Sequence, residues 1–155
     1  MAWDLIFQLA NGWAMLGWLV LIAAPRNPAL VALVFYGVMA LLCLTYTVLL
    51  VMLIANLVDP GAIESAGGAS FTSIEGVRAI FMSDGGVTVG WVHYLALDLF
   101  AGIWIARDAD AKGFSRWLQA PILFVTLMAG PVGVLIWLAM REKRARAAAG
   151  PRILK

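Results

Sequence analysis

One apolar stretch of the chain carries Trp91, His93, Tyr94 and Asp98 within eight residues. Asp98 is the residue whose chemistry is hardest to ignore. An Asp at the centre of a bilayer helix costs roughly 2.5–3.5 kcal/mol on insertion scales, so it needs a partner or a proton. A neutral carboxylic acid in an apolar pocket can donate that proton, which makes Asp98 a candidate general acid. His93 precedes it by five residues, a helical rotation of about 140°. The two side chains therefore point different ways and do not bond directly. Tyr94 and Asp98, four apart, share a face. Trp91, Tyr94, Asp98 and Ile105 make one stripe; His93, Leu97, Phe100 and Trp104 make another. Aromatic stripes serve helix packing more often than they form ligand walls, and a lone His is more often structural than catalytic.

Further polar groups are placed to converge on Asp98. Gln8 and Asn11 lie on the first apolar segment, Thr45, Tyr46, Thr47 and Asn56 on the second, and Thr126 on the last. Hydrogen bonds between bilayer helices average about 0.6 kcal/mol, so most such groups are packing glue. Gly130-Pro131-Val132-Gly133 interrupts the last segment. Pro131 has no N–H, so the Leu127 carbonyl loses its helical partner and a kink is expected. Gly130 and Gly133 admit a close backbone or a flat ligand. A single His cannot supply a zinc site, and the lone Cys43 forms neither an internal disulfide nor a cysteine-rich site. The glycines form no phosphate loop, and there is no nucleophile elbow. Neither a metal nor a redox cofactor is expected.

The elements that hold these residues follow from composition. Of 155 residues, 63% are hydrophobic and 13% charged, with a net charge of +2. A soluble domain has about 45–50% and about 25%. A globule this small cannot bury so much apolar surface. An ordinary soluble enzyme, a disordered chain and a nucleic-acid binder are excluded. The expected architecture is all-α: a single membrane domain over 1–155 with four transmembrane helices at about 4–24, 29–57, 88–107 and 120–140 and a basic tail at 141–155. The second would be about 43 Å long and must tilt or project. Pro25-Arg26-Asn27-Pro28 stops the first. Met1-Ala-Trp-Asp has no basic start, so the first span is expected to stay as an anchor. Four spans put both termini on one side. The tail bases Arg141, Lys143, Arg144, Arg146, Arg152 and Lys155, with Arg78, outnumber Arg26, Arg107, Lys112 and Arg116, so that side is read as cytoplasmic. The tail serves orientation first and anionic-lipid binding second.

The long polar stretch from Val58 to Gly86 contains Gly61, Gly67, Gly68, Gly76, Gly85 and Gly86. Thr72-Ser-Ile-Glu75 fits a capping box, which predicts a short helix from Ser73 to about Met82. Ile74, Val77, Ile80 and Phe81 would share its face, as in an interfacial helix or a lid; a plain surface connector fits equally. Gly86 and Gly90 are spaced for self-association. Trp3, Trp117 and Trp137 suit an aromatic belt.

The segment Gly90-Trp-Val-His-Tyr-Leu-Ala-Leu-Asp-Leu-Phe100 resembles the signature of the abscisic-acid-deficient-four-like family. The likeness extends to Ser70-Phe-Thr-Ser-Ile-Glu-Gly-Val-Arg-Ala-Ile-Phe81, to Arg116-Trp-Leu-Gln, to Leu127-Met-Ala-Gly-Pro-Val-Gly133, and to Pro25 and Arg26. It implies a small membrane protein of plastids or bacteria, in plants needed to convert violaxanthin to neoxanthin. That isomerisation opens an epoxide and forms an allene, with no net redox change. It needs an acid at the epoxide oxygen and a base for the polyene proton. Carried over by position, Asp98 is the acid and His93 the base. The family commonly has an Arg five residues after the motif Asp; this chain has Ile103, and Arg107, one turn on, shares that face. Asn11, Trp91, Tyr94, Arg107, Gly130 and Pro131 are the candidate substrate-binding residues.

The leading expectation is a carotenoid-modifying protein of the isomerase type. It would draw a hydrophobic ligand from the bilayer into a cleft lined by spans one, three and four. The compact loops point to a bacterial inner membrane, where the substrate is another carotenoid or lipid. A non-catalytic carotenoid or lipid binder is the alternative, and whether the chain is an enzyme stays open. A proton-linked transporter subunit ranks last, because only one acid and one His lie within the spans. Expected partners are membrane lipid, a carotenoid-like ligand and a second copy of the chain, with no nucleic acid.

Overall fold

Asn27 opens the second helix in the computed structural model, which describes residues 1–24, 26–60 and 69–149. Its side-chain oxygen accepts from the N–H groups of Ala29 (3.1 Å) and Leu30 (3.2 Å). Pro28 takes the first helical position, where its missing N–H costs nothing. Pro28 thus begins a helix rather than only ending one. Pro25, Gly61, Gly67, Gly68, Arg152, Lys155 and the Lys143 side chain lie outside the described residues.

Six helices are described: α1 (Trp3–Ala23), α2 (Pro28–Ile54), α3 (Ile74–Ile80), α4 (Asp84–Ala111), α5 (Arg116–Met128) and α6 (Gly130–Ala149). The fold is all-α. Among the described residues, α1, α2 and α4 are long and apolar enough to cross a membrane. α2 widens into a π-helical turn over Val34–Met39. It ends earlier than its composition suggests, with Asn56 and Asp59 at positive φ (52° and 46°). Asn and Asp tolerate this left-handed backbone better than apolar residues do.

The buried faces interleave large side chains such as Trp18, Leu21, Leu99 and Ile105 with small ones. Ala10 and Ala14 of α1, and Ala96, Ala106 and Ala109 of α4, are buried, while Leu5, Leu9, Leu16 and Leu19 are exposed. Apolar lipid gives no drive to hide leucine; close backbone packing holds such helices together. Trp3 and Trp137 depart from the expected aromatic belt, since both are buried and hydrogen-bonded. Trp117 is 90% exposed.

The chain divides into two compact units, Met1–Met15 with Val38–Leu97, and Leu16–Gly37 with the chain from Asp98 onward. In the first, Trp3, Leu49 and Val89 form a core flanked by Ile6, Tyr46, Leu50 and Val58. Asp59 ties its helix ends: Oδ1 accepts from Trp3 Nε1 (2.9 Å) and Oδ2 from the Gly85 N–H (3.0 Å). α3 is capped by Ser73, whose hydroxyl accepts from Gly76 N at 3.1 Å, and not by the Thr72–Glu75 pair. It buries Gly76 and Ala79 and exposes Ile74, Val77 and Phe81. A Cβ on Gly86 would overlap the Ile80 carbonyl, and one on Gly90 would lie 2.4 Å from the Phe81 ring. These glycines serve packing within the chain.

The second unit corrects the reading of 120–140 as one kinked span. The chain breaks at Ala129 (φ −155°, ψ 81°), and α6 begins at Gly130. The N–H groups of Val132 and Gly133 both bond the Ala129 carbonyl, which puts Pro131 in the first turn of a new helix. There the proline has no preceding carbonyl to clash with. α5 and α6 pack on each other as a hairpin, with the Cβ position of Gly133 only 2.6 Å from the Thr126 Cα.

Both open ends of the hairpin meet the same end of α4. Arg116 donates to the Ala23 carbonyl, and the buried Gln119 to the Ala106 carbonyl at 3.0 Å. Trp137 Nε1 donates to Asp108 Oδ2 at 3.0 Å, as does Arg141 Nε at 2.6 Å. Arg144 donates to the Lys112 (3.2 Å) and Gly113 (2.8 Å) carbonyls. The tip, at Gly130, reaches Asp98, ten residues or about 15 Å back along α4.

Candidate functional site

Asp98 stands at the midpoint of α4 and is buried. Its carboxyl lies against Gly130, the first residue of α6: a methyl built there would sit 2.0 Å from Oδ1 and 2.5 Å from Cγ. Only glycine fits this contact. The acid thus faces the opening turn of a long helix, the end that carries partial positive charge. The proline break and the buried acid, two separate features of the sequence, are parts of one contact. Pro131 is exposed beside it. Thr126 does not join the acid. Its hydroxyl bonds the Ile122 carbonyl at 2.8 Å. Thr47 likewise bonds its own helix, at Cys43 O (2.8 Å).

Arg107 and Ile103 border one groove of about 480 Å³ with Phe35, Phe100, Trp104 and Asp108. The Arg107 guanidinium sits over the Phe35 ring, 5.6 Å from its centroid. Phe35 belongs to the π-helical turn of α2. Ile103 and Arg107 therefore share a face, as their spacing requires.

The first unit gathers Asn11, Trp91, His93 and Tyr94. Trp91 Nε1 donates to Asn11 Oδ1 at 3.0 Å, and Asn11 Nδ2 to the Phe7 carbonyl at 2.7 Å. The Trp91 ring stacks on Phe7 (5.7 Å between centroids, 27° between planes) and on Tyr94 (5.1 Å, 28°). The three rings make one continuous aromatic stack. His93 lies next to Tyr46, 5.3 Å between centroids, and is otherwise on an exposed face. Leu97, Phe100 and Trp104, on the same stripe, are exposed, with the Arg141 guanidinium over the Trp104 ring. A separate apolar cavity of about 340 Å³ is lined by Ile6, Leu9, Trp13, Leu41, Leu42 and Thr45, on α1 and α2.

Two carboxylates escaped the sequence reading. Asp59 falls in the Gly-rich stretch, where a turn residue is unremarkable. Asp108 has i,i+4 spacing to Lys112, which is visible, but Trp137 and Arg141 reach it only because the chain turns back at Ala129. Beyond that cluster, the Arg146 guanidinium beside Glu142 holds its carboxyl below the usual carboxylate range.

No curated protein and no solved structure matches the chain. A family model does: the one described as ABA DEFICIENT 4-like matches residues 5–137. That range takes in the Trp91–Phe100 motif, the α3 segment and the Gly130–Gly133 break, and by it the chain belongs to the ABA DEFICIENT 4-like family.

Proposed function

We propose that the chain is a membrane-embedded carotenoid-modifying protein that isomerises an epoxy-carotenoid, by analogy with neoxanthin formation. Membership of a family tied to neoxanthin synthesis in plants supports this. The single observation that carries it is the buried Asp98 carboxyl, held at mid-helix against a glycine that nothing larger can replace. As general acid, Asp98 gives its proton to the epoxide oxygen as the C–O bond breaks. A base takes the proton lost from the polyene carbon, and the electron pair of that C–H bond forms the allene. Atoms and charge balance, and no oxidant is needed. His93 is assigned the base role from chemical need and its place in the motif.

The test is pigment analysis of cells that make violaxanthin, with and without the chain. The wild type should yield a new isomer. Asp98→Asn and His93→Ala should each abolish it while the protein still accumulates in the membrane. Full conversion by both variants overturns the assignment. A second reading, a non-catalytic carotenoid binder, draws on the aromatic stack of Phe7, Trp91 and Tyr94. Co-purified pigment that never changes, with Asp98 dispensable, would favour it.

The same proposal sets the membrane arrangement. α1, α2 and α4 cross, and α5–α6 enters to the depth of Asp98 and returns, in place of a fourth crossing. A helix of 13 residues spans about 20 Å, too short for a hydrocarbon core of about 30 Å. Broken helices are tolerated at that depth where protein surrounds them. Arg26, Arg107, Lys112, Arg116, Arg141, Arg144 and Arg146 then face one side and Arg78 the other. The positive-inside rule makes the first side cytoplasmic, in a bacterial inner membrane. The tail is then cytoplasmic and the N-terminus is not, which revises the shared side expected from four crossings.

A further inference from the structure

We infer that the second unit holds one anionic phospholipid at Arg107. Two grooves meet there. One, about 310 Å³, is lined by Arg26, Pro28, Val31, Arg107, Asp110 and Ala111. The other, about 480 Å³, runs deeper past Phe35, Phe100, Ile103 and Trp104. Arg107 lies four residues before the end of α4, about 6 Å in from it, which is the level of a headgroup. Trp104 and Phe100, one and two turns deeper, remain 36% and 50% exposed. The combined surface is charged at the end of the helix and apolar below it, the polarity of a phospholipid.

The charge balance selects an anion. Asp110 is paired with Arg26 at 2.9 Å, and Asp108 with Arg141 and Lys112. Four cations thus face two carboxylates. Among the described residues Arg107 makes no ion pair, only its contact over the Phe35 ring. A guanidinium so placed offers its fork to a phosphate. The acyl chains lie along Phe35, Phe100 and Trp104. This site rests on the reading that α4 crosses a bilayer and is independent of any reaction at Asp98.

The test is native mass spectrometry of the full chain released from nanodiscs of equal phosphatidylglycerol and phosphatidylcholine. One phosphatidylglycerol should be retained selectively. Arg107→Gln should lower its retention about fivefold, the worth of roughly one cation at a membrane surface, and Arg107→Lys should restore part of it. An Arg152→Gln/Lys155→Gln tail variant should retain it like the wild type. Glycerol 3-phosphate, which has the headgroup phosphate without chains, should compete poorly. The inference is overturned by equal retention of both lipids, by undiminished retention in a folded Arg107→Gln protein, by loss in the tail variant instead, or by full competition from glycerol 3-phosphate. Circular dichroism of Arg107→Gln establishes that it is folded. Labelling of single cysteines at Ser83 and Ser115 from the same side would remove the bilayer reading itself, separately from these outcomes.

Discussion

Gly130→Ala tests the contact on which the proposed chemistry depends. The added methyl would lie 2.0 Å from Asp98 Oδ1, so the carboxyl must retreat by about 1.4 Å to reach ordinary contact at 3.4 Å. Overpacking of this kind costs about 1–3 kcal/mol. At about 2–4 °C per kcal/mol for a chain of this size, the melting point in detergent should fall by several degrees. Asp98→Ala removes the obstructing carboxyl. In that background Gly130→Ala should be nearly neutral, so the two substitutions couple by about 1–3 kcal/mol. Gly12→Ala is the control: nothing lies within 4 Å of its Cβ position, and alanine favours a helix interior by about 1 kcal/mol. The assay is thermal unfolding of all five proteins, read by circular dichroism. Costs for Gly130→Ala and Asp98→Ala that add to within about 0.5 kcal/mol, the behaviour of independent sites, would refute the contact. The cycle does so without any knowledge of substrate.

Other contacts lead to further expectations. Gly133→Ala meets the Thr126 backbone as well as its hydroxyl, so it should cost more than Gly130→Ala, and Thr126→Ala should not rescue it; rescue in a melting assay would show that the helices are not packed so closely. Asp108→Ala strands Trp137 Nε1 and two cations, which should destabilise the protein by about 2–4 kcal/mol and open α6 to proteolysis; an unchanged digestion rate would contradict the hairpin closure. Asp59→Ala leaves the buried Trp3 indole and the Gly85 N–H without their acceptor, at a cost of about 1–3 kcal/mol, readable as a lower melting point with altered tryptophan fluorescence. In a Cys43→Ser background, single cysteines at Ser115 and Ser83 should react with an impermeant maleimide from opposite sides, with Ala2→Cys matching Ser83→Cys. Arg146→Cys should match Ser115→Cys, and its labelling together with Ala2→Cys would restore the four-crossing arrangement.

Helix positions were legible because the signals are local. A run of twenty apolar residues needs no tertiary context, and α1, α2 and α4 begin within a few residues of where hydropathy and capping place them. The buried Asp98 was equally legible, since an acid inside an apolar run has few bland explanations. The hairpin was not. Gly130-Pro131 signals an interruption, but the same residues fit a shallow kink or a reversal. What decides between them is close packing at Gly133 and bonds from Arg141 and Arg144 back to the α4 end. The Arg141 and Arg144 bonds join residues some thirty apart, and no short-range pattern reports them. Trp137 shows the same gap: near a span end it looks interfacial, but the reversal buries it beside Asp108.

The reversal also bears on why an acid is tolerable at mid-helix. A charge at that depth costs roughly 2.5–3.5 kcal/mol when a helix stands alone in lipid. A continuous fourth span would bring apolar side chains and the middle of a helix to Asp98. A broken one brings the start of a helix, whose partial positive charge offsets part of that cost. It also brings a residue without a side chain, so the backbone can approach the carboxyl directly. Discontinuous helices in membrane proteins commonly carry binding sites on these half-helix ends. Pro131 favours the first turn of α6 over a helix interior, and Gly130 makes room for the carboxyl. Asp98 is then a group that the hairpin is shaped around. A variant that straightens the break should therefore lose Asp98-dependent conversion even with every polar side chain in place.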